Sequence, residues 1–220
     1  MGRVLVAAND DWNVSGVIDN SIGAGGAGNN LDCTPDPGAV GICNYDYGVN
    51  NWLGVAGSYI AKGKQITKGY VKVNDFYYAQ DFYDNASWRQ LVMCQEVGHI
   101  FGLAHQDETF DNANLGTCMD YTDYLEGGGT GGALSNLYPN QHDYDQLDAK
   151  YGADEGGGNG GGNGGGGVPP DGKGKPSSLP GNDISQWGRA ISTDGNGRPD
   201  LFELDLGGGN KLFTHVIWAN

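Results

Sequence analysis

The residues best suited to chemistry in this chain are Glu96, His99 and His105, with Gln95 just before them and Gly102 between the two histidines. Imidazole is the commonest side-chain ligand for a transition metal, and a carboxylate can carry a proton to and from a reacting group. The run from Ala86 to Phe101 places Trp88, Leu91, Val92, Gln95 and His99 at intervals of three and four, the period of a helix. Gln95 and His99 therefore share one face, with Glu96 beside them. Asn85 or Ser87 can cap the start of this helix, and Gly102 can end it through a left-handed residue. The chain can then turn so that His105 swings back towards His99. Two imidazoles and a carboxylate so arranged suit metal-assisted hydrolysis, in which the ion acidifies a water and the carboxylate takes its proton.

The stretch from Gln95 to His105 (QEVGHIFGLAH) resembles the HExxHxxGxxH signature of the metzincin clan of zinc metalloproteases, with Gln95 at the first histidine position. Fourteen residues after His105, Met119 sits in a tight Cys118-Met119-Asp120-Tyr121 turn similar to the clan's Met-turn. Leu53–Ala56 and Gly69–Asn74 look like strands that precede the active-site helix in the matrixin branch. The segment Pro139–Gly152 looks like that branch's C-terminal helix.

Over residues 3–152 the resemblance implies an α+β fold: a twisted mixed sheet, an active-site helix, a Met-turn and a C-terminal helix. It implies a zinc ion held by Gln95, His99 and His105, with Glu96 as general base. Tyr121 would be a further ligand or an oxyanion donor, and Met119 and Gly102 would be structural. The implied activity is endopeptidase cleavage of protein or peptide substrates. The strand Gly69–Asn74 would pair with the extended substrate, since peptides add to sheet edges through main-chain hydrogen bonds.

Gln95 leaves three outcomes open, because an amide oxygen is a poorer zinc ligand than imidazole. Gln95 ligates through its side-chain oxygen; or Tyr121, Asp107 or His142 completes the shell; or the metal is lost and the scaffold binds a peptide or glycan without catalysis. The intact Glu96, needed only for chemistry, favours the first. Cys94 could replace the missing ligand only from a position about 100° around the helix from Gln95.

Four cysteines, Cys33, Cys43, Cys94 and Cys118, follow no CxxC metal pattern, and two disulfides in an oxidising compartment are expected. Sequence alone allows three pairings. Cys33 and Cys43 bracket a Pro/Gly-rich loop and could close it. In the clan the Met-turn packs on the active-site helix, which would bring Cys118 to Cys94.

The elements that must position these residues read as follows. Arg3–Ala8, Leu53–Ile60 and Ile66–Asn74 are strand-like, the last two joined by a polar turn at 61–64. Asn20–Asn30 and Gly127–Gly132 are loops. Pro139–Tyr151 reads as a helix stopped by Gly152. Gly156–Gly167, broken only by Asn159 and Asn163, reads as a flexible linker. The expected organisation is a catalytic domain at 1–152, a Gly-rich linker at 153–167 and a small β-rich segment at 168–220 with a hairpin at Leu201–Leu206 and Lys211–Trp218. In that segment Asp194–Asp200 resembles a calcium loop without its closing Glu, so calcium is a second candidate cation and a simple turn the favoured reading.

Twelve Lys plus Arg against 27 Asp plus Glu give a formal charge of −15, which argues against a nucleic-acid partner and an anionic membrane surface. The expectation is a secreted monomer whose export signal lies outside these residues.

Overall fold

The computed structural model describes residues 2–25, 30–62, 65–127, 134–152 and 181–219. The run Gly156–Gly167 and parts of the turns and loops expected at 20–30, 61–64 and 127–132 lie outside them. The chain is α+β. Helix α1 (Gly2–Trp12) leads to strands β1 (Val40–Tyr45), β2 (Trp52–Ile60) and β3 (Ile66–Asn74), the short α2 (Asp75–Tyr78), α3 (Ala86–Ile100) and α4 (Gln141–Tyr151). A 3₁₀ turn (Ile184–Gln186) precedes β4 (Arg189–Thr193), β5 (Pro199–Gly207) and β6 (Asn210–Trp218). The strands form one mixed sheet in the order β1-β3-β2-β6-β5-β4.

Helix α3 starts where the sequence places it. The Asn85 side chain accepts from the Trp88 amide at the N-cap. Gly102, with φ of +77°, turns the chain after Phe101, where a β-carbon would be strained. Helix α4 begins with a reciprocal capping box: Asn140 accepts from the Asp143 amide and Asp143 accepts from the Asn140 amide.

Two expectations are corrected. Arg3–Ala8 is helix, not strand. Its apolar residues continue to Trp12, one helical turn beyond Ala8, and both are wholly buried. The Trp12 indole donates to the Cys94 carbonyl at 3.0 Å and meets Phe101 and Tyr144 edge-on. A short apolar run fits a buried strand or helix equally, and packing against α3 decides. The strand Gly69–Asn74 cannot pair with a substrate either. β3 is interior, parallel to β1 on one side and antiparallel to β2 on the other, so it offers no free edge.

The sheet separates two apolar layers. On one face, Leu53, Ala56, Val71, Val73 and Ile217 share an apolar layer with α3, against which α1 and Met119 pack in turn. On the other, Trp52, Val55 and Tyr70 meet Trp187, Phe202, Leu212 and Val216. The C-terminal hairpin thus extends the same sheet, because β6 is hydrogen-bonded to β2 along nearly its whole length.

Candidate metal centre

Helix α3 runs across the inner face of β2. Gly54 permits this approach: a β-carbon there would lie 2.6 Å from Glu96 Oε1. Beneath the helix, a β-carbon at Gly98 would lie 2.5 Å from the Met119 sulfur and 2.7 Å from the Trp12 ring. The Met119 turn is therefore seated directly against α3, and the Cys94–Cys118 disulfide pins it there. The second disulfide joins Cys33 to Cys43. Cys94 is thereby unavailable as a ligand.

After Gly102 the chain returns alongside the Met119 turn. Gln106 N donates to Met119 O at 2.6 Å, and Tyr121 N donates to Asp107 O at 3.1 Å. These bonds carry His105 to His99, with their Nε2 atoms 3.0 Å apart. Each ring is held from behind. His99 Nδ1 faces Leu103 O at 2.8 Å, and His105 Nδ1 faces Asp200 Oδ2 at 3.3 Å and Glu108 Oε1 at 3.5 Å. A nitrogen facing a carbonyl or carboxylate carries the hydrogen, which leaves the other nitrogen with its lone pair. Two lone pairs at 3.0 Å repel unless a proton or a cation lies between them.

The electrostatics point the same way. Burial, then the neighbouring His215 and His105 rings, pull His99 well below the usual histidine range. Burial also pulls His105 down, but its bonds to Asp200 and Glu108 and their charges outweigh it, and its pKa ends raised. Asp200, despite burial, ends below the usual carboxylate range because of His105. Burial pushes Glu96 well up.

Gln95 and Glu96 are wholly buried and His99 is 2 % exposed. No side-chain polar atom of Gln95 or Glu96 has a hydrogen-bond partner. Such orphaned buried groups are costly and mark a place where a ligand or ion would satisfy them.

The structure therefore brings together His99, His105 and Tyr121, with Met119 seated against α3 and Gln95 and Glu96 buried on the same helix as His99. The Tyr121 ring packs on His105 with centroids 4.4 Å apart, and its hydroxyl donates to Val216 O at 3.2 Å. It does not bring in His142, which stands exposed on α4 beside Gln146, or Asp107, whose carboxylate accepts from the Thr109 amide.

Three residues joined the site without having been read as part of it. His215 stacks on His99 at 3.9 Å and 9°, and burial with the charge of His105 lowers it to about 3. Asp200 and Glu108 converge on His105. With it they form, among the described residues, a trio whose candidate ligand atoms lie within 4.8 Å of one another. The only sequence signal for His215 was its inward register in the run LFTHVIW. The calcium-like loop is a turn: Asp194 Oδ1 accepts from Asn196 N and Arg198 N, and Oδ2 accepts from Arg198 Nε.

Comparison with protein-family profiles, curated proteins and solved structures finds no significant match. Among the described residues, no helix is long and apolar enough to cross a membrane.

Proposed function

We propose that this protein is a secreted zinc endopeptidase of the metzincin type. The observation that carries the reading is the pair of imidazole Nε2 atoms 3.0 Å apart, each ring tethered through its other nitrogen. That arrangement, with the outward nitrogen bonded to a carbonyl or carboxylate, is how proteins orient histidine ligands and raise their basicity. Gln95 lies one helical turn before His99, buried and without partners, and its amide oxygen suits the third position. Bound zinc would supply Lewis acidity, lowering the pKa of a water and polarising a peptide carbonyl.

The chain's own residues do the rest. Glu96, in an environment that favours its protonated form, takes the water's proton and returns it to the leaving amine. The Tyr121 hydroxyl, kept protonated by burial, donates a hydrogen bond beside His105, the position of an oxyanion donor. The two disulfides agree with an oxidising, extracellular setting.

The test is zinc-dependent cleavage of an unfolded protein such as casein. Glu96→Gln is expected to reduce the rate by about 10²–10⁴-fold while leaving zinc stoichiometry at one per chain. Absence of stoichiometric zinc together with absence of cleavage would sink the proposal. A second reading, a silent scaffold that binds a peptide, draws on the near-complete burial of Gln95, Glu96 and His99. It predicts peptide binding that Glu96→Gln does not alter and no cleavage at all.

A further inference from the structure

We infer that β6 is an intramolecular pseudosubstrate, a strand of the chain itself lying on the β2 edge where the site would take an extended peptide. The inference rests on the endopeptidase reading for its consequence, latency, but the peptide-binding edge can be tested without it.

β3 holds one edge of β2, and β6 holds the other in antiparallel register from Trp52↔Trp218 to Ile60↔Lys211. This is the geometry of a peptide adding to a sheet, in which main-chain hydrogen bonds give affinity and alternate side chains enter pockets. The register sets β6 directly over the candidate centre. Gly54, the β2 residue against which Glu96 packs, pairs with Ile217, and Ala56 pairs with His215. Three consecutive β6 residues then lie along the site. Ile217 pairs with Gly54, Val216 O accepts from Tyr121 Oη, and the His215 ring covers His99. A main-chain carbonyl on the proposed oxyanion donor is the contact a bound peptide would make.

The consequence is closure. With β6 in place the centre is sealed; release of the hairpin opens Glu96 and leaves Glu108 as the carboxylate behind His105. The hairpin is held mainly from the opposite face, where Trp187, Phe202, Leu212 and Val216 pack on Trp52, Val55 and Tyr70. That burial makes the covered form the resting state.

The experiment uses the full chain carrying Ile217→Glu, which sets an unpaired carboxylate into the buried apolar layer and opposes docking of β6. Amide hydrogen exchange in β2 should accelerate by about tenfold or more while β3 remains protected. Zinc-dependent hydrolysis of a quenched fluorescent peptide should rise by about tenfold or more, since active-site access follows the open population. A synthetic peptide of residues 210–218 should then inhibit it in trans. Freed β2 amides without faster hydrolysis, in a chain whose wild type cleaves, overturn the inference and leave the endopeptidase reading standing. If neither form hydrolyses, the endopeptidase reading fails and binding decides. Saturable binding of labelled 210–218 peptide to Ile217→Glu and not to wild type supports the occupied edge, and no binding overturns it. Should Ile217→Glu unprotect β3 as well, a protease site inserted between Gly160 and Gly161, cleaved in the folded wild type and followed by dilution, releases the hairpin for the same measurements.

Discussion

Two regions meet at the paired histidines, and they are held in different ways. The segment from Cys94 to Tyr121 is fixed largely by itself: a disulfide, a glycine stop, and hydrogen bonds from His99 Nδ1 to Leu103 O and from Gln106 N to Met119 O. The hairpin of β5 and β6 arrives from roughly a hundred residues later and is held by a ladder and an apolar face, adding Asp200, His215 and Val216. In the proposed reading the first region holds the metal, and the second sets how tightly His105 is held and what may enter. Chemistry and access thus rest on interactions of different range, and each can be perturbed alone.

The largest effect expected on the first region comes from Cys94→Ser with Cys118→Ser. Opening a loop that spans 24 residues should cost about 3.5 kcal/mol by chain entropy, read from urea unfolding under non-reducing conditions. A cost well below this would mean that the Met119 turn is seated without its covalent pin.

The hairpin side has its own lever in Lys72. Its ammonium donates to Asn182 at 3.0 Å and lies over the Tyr47 and Tyr70 rings, and burial lowers its pKa to about 8. The folded chain releases this proton near pH 8 and the unfolded chain only near 10.5, so between those values the unfolded state binds more protons. Stability should therefore rise with pH across that window, and below it the full cost of about 3 kcal/mol is present. Lys72→Met should remove the slope and stabilise the protein at neutral pH, which unfolding curves at pH 7 and pH 9.5 would show. An unchanged slope would place the cost elsewhere.

Where the two regions touch, Asp200→Asn should weaken zinc binding by about 10–100-fold, measured by competition with a chelator. Unaltered affinity would separate the hairpin from the centre and leave it as a cover alone.

Much of the first region was legible in the chain. The helical period through Trp88, Leu91, Val92, Gln95 and His99, the cap at Asn85 and the stop at Gly102 are local signals, and the structure carries each of them. The pairing of Cys94 with Cys118, which sequence alone left among three, was implied by the resemblance, and the structure has it. Other features were not legible. β1 passes unnoticed because VGICNY is short and only half buried, without alternation strong enough to mark a strand. Arg3–Ala8 misled because a six-residue apolar run lacks a readable period, and Trp12, which settles it, lies beyond the run.

The sequence by itself determined that Gln95, Glu96 and His99 share a helix and that His105 follows a turn, because caps, period and glycine act within a few residues. Only the tertiary structure decided that Asp200 and His215 join them and that β6, not a substrate, lies on β2. A strand's pattern records which face is buried and never which strand lies beside it. That choice is made by contacts between residues more than 150 positions apart.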